Sequence, residues 1–386
     1  MTNTTLPAKF EEFTDARRQG FIKVKEVKEN GGKVAGIFCT FTPLEILDAA
    51  GIIPIGLCGM SDETIIDAEA DLPKNLCPLI KSSYGFAVSE KCPYTYFSDM
   101  IIGETTCDGK KKMYELLGEI KDTYVMQLPQ GIDRDYAHDM WKSELHRLMK
   151  TLEEKLGVKI TEDKLREAAA LRNKQRKLYS EFFELGKLEP PAIKGFDMYK
   201  VIEGAGFSFD LEENCKKLRD LIDSTKKAYE DGSRPVDKEA KRILITGCPM
   251  GGVLDKVVNS IESNGGVVVC FENCGGIKPV RNLVDEKSDD IVGAIGNRYL
   301  EIGCSVMAPN PKRMKMIPEL LTEFKVDGVI EIILQACHTY NVETRAIKKL
   351  VNDAGLPYMA IETDYSKSDL GQIKTRVSAF LEMESV

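Results

Sequence analysis

Lys33–Leu57, KVAGIFCTFTPLEILDAAGIIPIGL, decides the fold. The apolar run from Lys33 to Cys39 reads as a strand, Pro43 to Ala50 as a helix, and Ile52 to Leu57 as a second strand. Strand, helix and strand in so short a stretch make a βαβ rhythm, which implies a parallel sheet. The rhythm continues outward through a helix near Leu79 to Glu90, a strand at Asp99 to Glu104, a helix at Gly109 to Ile120 and a strand at Tyr124 to Leu128. The spacing predicts one doubly wound domain over residues 1–134, its last strand closing near Gly131.

Residues 135–239 change character. Charged stretches carry apolar residues at helical spacing, as in Trp141, Leu145, Leu148, Leu152 and Leu156, so this segment is expected to be mainly helical. Pro190–Pro191 and Gly204 to Gly206 mark breaks between helices. A second βα series fills residues 240–386: strands at Arg242 to Thr246, Gly266 to Phe271, Gly328 to Gln335 and Tyr358 to Glu362, a helix at Gly251 to Gly265, and a last helix from Ser368. The predicted fold class is α/β, two doubly wound, Rossmann-like parallel-sheet domains with a helical insertion.

Composition narrows the function. The 386 residues are 43% hydrophobic and 30% charged, which suits two compact folded domains. A net charge of -8 without a basic patch argues against nucleic acid as a partner. Met1 to Phe10 lacks a basic and apolar leader pattern, and no apolar run reaches the roughly 18 residues of a membrane span, so a cytoplasmic protein is expected.

Six of the eleven cysteines stand at strand ends or in loops that open helices: Cys77, Cys107, Cys248, Cys274, Cys304 and Cys337. In an open parallel sheet, ligands gather beyond the carboxyl ends of the strands. A cysteine just before a helix meets free N–H donors and a partial positive charge, which favours its thiolate. Thiolates are soft ligands for iron–sulfur clusters or zinc, but structural zinc sites use paired ligands two to four residues apart, and the six show no such pairing. Cys58, Cys215 and Cys270 read as core fillers, while Cys39 and Cys92 fit either reading. Glu45 is a candidate acid or base, or simply a first-turn acid that steadies its helix. His338, beside Cys337, is a candidate proton donor or a structural histidine, and Lys110, Lys111 and Lys112 could balance cluster charge or form a solvated face. GCPMGG at 247–252 lacks the GKS or GKT ending of a phosphate loop, so no nucleotide site is expected.

CTFTPLEILDAAGIIPIGL, NLCPLIKSSYGF, TTCDGKKKMYELL and ILQACH together resemble the subunits of 2-hydroxyacyl-CoA dehydratases and benzoyl-CoA reductases along nearly the whole chain. The resemblance implies that Cys77, Cys107 and Cys337 hold one iron–sulfur cluster. The additional Cys248, Cys274 and Cys304 look like the double-cubane branch of that family, which implies an 8Fe-9S cluster, two cubanes joined by a bridging sulfide with three cysteines on each. It further implies a homodimer that takes low-potential electrons from an ATP-hydrolysing iron–sulfur activator protein and reduces small molecules. Glu45 and His338 would then deliver protons. Two alternatives stand beside it: a single 4Fe-4S subunit of a 2-hydroxyacyl-CoA dehydratase, and a non-catalytic α/β binding or electron-carrier protein.

Overall fold

A computed structural model describes residues 16–206 and 209–383; the stretch Met1 to Phe10, read above for a leader, lies outside the described residues. After helix α1 (Ala16–Glu29) the chain forms β1 (Lys33–Ile37), α2 (Leu44–Ala49) and β2 (Ile52–Gly56), the predicted βαβ unit. Short α3 (Ile65–Ala68), then α4 (Pro78–Val88) and α5 (Pro93–Phe97), lead to β3 (Met100–Glu104), α6 (Asp108–Ile120) and β4 (Thr123–Met126). The four strands pair in parallel in the order β2-β1-β3-β4. β3 is buried along its whole length, as a parallel strand covered on both faces must be.

The middle segment is helical as predicted: α7 (Ala137–Leu156), α8 (Glu162–Phe183), α9 (Gly195–Ala205) and α10 (Leu211–Glu230). The Thr161 and Asp210 side chains cap α8 and α10 by accepting the N–H of Lys164 and Glu213. Gly157 ends α7 in the left-handed conformation, φ 66°. The second series follows with β5 (Lys241–Gly247), α11 (Leu254–Glu262), β6 (Gly266–Glu272), α12 (Ile291–Leu300), α13 (Pro311–Glu323), β7 (Gly328–Leu334), α14 (His338–Asp353), β8 (Tyr358–Thr363) and α15 (Leu370–Leu381). Its sheet repeats the first, parallel in the order β6-β5-β7-β8. The helix expected from Gly251 begins only at Leu254. Gly252 sits at φ +77°, where an added Cβ would lie 2.1 Å from the Met60 carbonyl oxygen, so residues 251–253 form a turn against the loop after β2.

The apolar interior crosses the boundaries read from sequence. One core joins Val34, Ile55 and Ile101 to Ile243, Val268 and Ile330. The other joins Ala35, Ile46 and Met100 to the buried stripe Trp141, Leu145, Leu148 and Leu152 of α7, and on to Ile295, Cys304 and Met307. The helices of the middle segment touch both sheets: α7 packs on β4 and α12, α8 on α2, and α9 on β6. Among the described residues no helix is long and apolar enough to cross a membrane.

Candidate functional site

In each sheet the winding reverses between two central strands, β1 and β3 in the first and β5 and β7 in the second, and the carboxyl ends there open a crevice. Cysteines follow the strands in step. Cys39, Cys58 and Cys107 come just after β1, β2 and β3, and Cys248, Cys274 and Cys337 just after β5, β6 and β7. Cys77 and Cys92 lie in the connection from β2 to β3, and Cys304 in that from β6 to β7.

The structure brings Cys77, Cys248 and Cys337 together. The Cys337 sulfur is in hydrogen-bonding contact with both Cys248 and Cys77, and these two bonds hold its thiol well below the usual range. Cys77 is pushed up, first by its bond to Cys337 and then by burial; Cys248 is pushed up by burial and by the same neighbour. The three thiols lie close enough to perturb one another's ionisation, and a neighbouring negative charge disfavours ionising the next. Backbone N–H groups face the sulfurs: Leu334 N donates to Cys248 Sγ at 3.4 Å, Leu79 and Ile80 face Cys77, and Tyr340 faces Cys337. Cys77, Cys107 and Cys337 are the cap residues of α4, α6 and α14, so three helix N-termini carry these thiols. Gly109, in the first turn of α6, lies so close to Leu76 and Ile80 that an added Cβ would meet Ile80 Cδ1 at 2.6 Å. That contact sets the start of α6, with Cys107, beside the start of α4, with Cys77.

Cys274 lies within electrostatic reach of Cys304 and Cys58, and Cys39 within reach of Cys58 and Cys274. Cys39, Cys58 and Cys274 wall a cavity of about 910 Å³. Cys248 therefore packs with Cys77 and Cys337, a different grouping from the expected trio of Cys248, Cys274 and Cys304.

Glu45 is fully buried, 2.5 Å from Arg176 Nη2, and accepts the Tyr299 hydroxyl at 2.8 Å. Burial raises its carboxyl, but Arg176 and Arg298 pull it below the usual range, so it stays ionised. That setting is an ion pair tying α2 to α8, and it carries structure in place of the mobile proton expected from sequence. His338 is exposed at the first turn of α14, next to Cys337. Lys110 is buried with its Nζ 3.1 Å from Cys39 Sγ, whereas Lys111 and Lys112 pair with Asp108 and Glu115 near the surface.

Several buried donors around the thiols have no partner among the described residues: Tyr365 Oη, Tyr114 Oη, Asn273 Nδ2 and Ser305 Oγ. Tyr365 lies within electrostatic reach of Cys77, Cys58 and Cys248, and Tyr114 within reach of Cys39 and Cys58. Asn273 and Ser305 adjoin Cys274 and Cys304 in the chain. Leaving a buried donor unmet costs about 1–3 kcal/mol, so a concentration of them beside soft sulfur ligands fits a site built around an anionic, sulfide-bearing group. No three His, Cys, Asp or Glu side chains among the described residues close on a single metal ion. A cubane makes no such demand, because each thiolate takes a different iron. Sequence reasoning took Cys58 for a core filler and passed over Tyr365. Cys58 does pack against the apolar core and also lines the cavity, and Cys39, Cys58 and Cys274 each stand two residues beyond a strand end.

The family model described as 2-hydroxyglutaryl-CoA dehydratase, D-component, matches residues 39–383. YjiM of Escherichia coli, which carries a provisional dehydratase-subunit name, is 52% identical over 98% of this chain and 99% of its own length. The (R)-phenyllactyl-CoA dehydratase beta subunit of Clostridium sporogenes is 26% identical over 93% of this chain and 94% of its own. A benzoyl-CoA reductase subunit of Thauera aromatica is 23% identical over 90% of each chain.

Proposed function

The chain belongs to the 2-hydroxyglutaryl-CoA dehydratase D-component family, and from that premise we propose that it is the iron–sulfur component of a reductase carrying a double-cubane cluster. Cys77, Cys107 and Cys337 hold one cubane, and the second draws on the remaining cysteines of the crevice, read from sequence as Cys248, Cys274 and Cys304. The observation that carries the reading is the meeting of thiols, helix N-termini and unpartnered buried donors where the carboxyl ends of the strands open.

When bound, the cluster supplies low-potential electrons. The chain's own residues keep water away and set the charge. The helix caps and the N–H groups of Leu79, Ile80, Leu334 and Tyr340 stabilise thiolate. Lys110 places a buried positive charge on the cavity side. His338, exposed beside Cys337, can pass a proton from solvent, and the Tyr365 hydroxyl is free to donate inside the crevice. The relatives named as subunits support a partner protein, which we take to be an ATP-hydrolysing iron–sulfur activator acting on a homodimer of this chain in the cytoplasm.

A second reading, a single-cluster dehydratase subunit acting on a 2-hydroxyacyl-CoA, is favoured by one observation: a cavity of about 910 Å³ is far larger than a diatomic or acetylene-sized substrate needs. Anaerobic purification followed by iron and acid-labile sulfide determination separates the two. About eight irons per chain are expected for the double cubane and about four for the dehydratase subunit; a chain that takes up no iron on reconstitution overturns both.

A further inference from the structure

We infer that Cys39 and Cys58 join Cys274 as a second metal–thiolate set facing the cavity, with Lys110 as its fixed countercharge. The inference rests on the double-cubane reading and changes which residues carry its second half.

Three observations support it. The three sulfurs share one cavity wall, and each follows a parallel strand at the same interval, after β1, β2 and β6. Cys39 follows the central strand β1, and Cys58 and Cys274 follow the edge strands β2 and β6, all at the carboxyl ends where parallel sheets gather ligands. The second observation is Lys110. It is 5% exposed, its ammonium donates to Cys39 Sγ at 3.1 Å, and among the described residues no carboxylate lies within ion-pair distance of it. Glu104, the acid within its electrostatic reach, is engaged by the Thr42 hydroxyl at 2.5 Å. A buried ammonium without an ion-pair partner in direct contact is unfavourable, and a neutral thiol is a poor substitute for one; burial pushes the Glu104 carboxyl up, which weakens it as a more distant countercharge. A metal-bound thiolate at Cys39 supplies the missing negative charge. Third, Tyr114 Oη and Asn273 Nδ2 are buried, unpartnered donors bordering these sulfurs, as an anionic sulfide group requires. Cys248 then stands beside Cys77 and Cys337 as an additional neighbouring thiol outside both sets of three. Cys304 lies within electrostatic reach of Cys274.

The test uses the full-length protein purified without oxygen. Iron and sulfide are counted, and the EPR spectrum of the reduced protein is recorded, for the native chain and for Cys39→Ser, Cys58→Ser and Lys110→Met. The native chain is expected to hold about eight irons and each serine variant to fall towards four, keeping the signal of the first set. Lys110→Met should keep its iron and move the midpoint potential to a more negative value, because the reduced, more anionic state loses a nearby cation. Serine variants that retain the native iron count and spectrum overturn the inference while leaving the double cubane standing. A native chain with only four irons overturns the double cubane and this assignment with it. Should a variant fail to fold, the native protein answers directly: alkylation mapped by mass spectrometry should label Cys39 and Cys58 only after the iron is stripped, and equal labelling of loaded and stripped protein rejects the assignment.

Discussion

Arg313 shows how much one side chain can organise. It is fully buried at the start of α13 and reaches Thr246 on β5 at 2.7 Å, Glu272 on β6 at 3.3 Å, Glu331 on β7 at 3.0 Å and Glu343 on α14. Lys278 adds a second cation on Glu272 at 2.8 Å. Removing one partner from such a network strands buried charge, so Arg313→Met is expected to destabilise the protein by about 3–5 kcal/mol, read as a lowered denaturant midpoint. None of this was legible in the chain, because the partners lie up to 67 residues apart and an arginine among surface-like lysines, KRMK, gives no sign of burial. Glu45 teaches the same lesson. Its place in the first turn of a helix was readable, whereas its partner Arg176 sits on another element. The cysteines were the opposite case, since strand-end position is a property of local sequence: Cys107, Cys248, Cys274 and Cys337 were expected after strands and stand just beyond β3, β5, β6 and β7.

At the scale of elements, the junction of α11 and α9 carries a pH dependence. Glu262, the last residue of α11, accepts the N–H of Gly195 at 2.7 Å and of Phe196 at 3.4 Å, which pins the start of α9. Burial raises its carboxyl to about 7 despite those bonds, and burial likewise raises the neighbouring Asp197 to about 6 against the opposing charge of Lys194. A carboxyl raised in the folded state binds a proton that the unfolded chain releases. Its stabilising contribution is therefore complete below about pH 4.5 and is lost as the pH rises through 7. Glu262→Gln should flatten that fall, a difference of about 2–3 kcal/mol across the window, measured by thermal unfolding at pH 4.5 and 8. Element boundaries themselves were largely legible. Strand runs such as Ile52 to Leu57 differ from the observed Ile52–Gly56 by one residue, because alternation between apolar runs and glycine-rich turns is written locally. Helices α12 and α13 were not read from the sequence, for their first turns are set by Asp290 and Asn310 caps within loop-like segments.

For the whole molecule, the division into three consecutive segments locates the sheets but not the cores. Both cores mix residues from before 134 and after 240. Length and periodicity suggested parts that could stand alone, and what they could not show is which apolar faces meet across a hundred residues or more. Residues 1–134 expressed alone are expected to lack a cooperative unfolding transition, because α7 packs on β4 and α8 on α2, and the core they share runs on to Ile295 of α12; a sharp calorimetric transition for that fragment would refute this.

The first thiol set also has a consequence for how the protein is made. Its members span Cys77 to Cys337, and Tyr365 and α15 close over the same core only after that. A ribosome that has released the first sheet has exposed Cys77 and Cys107 and still withholds Cys337. Under the proposed cluster assignment, loading waits for the second sheet, so that nascent chains halted before β7 are expected to carry no iron.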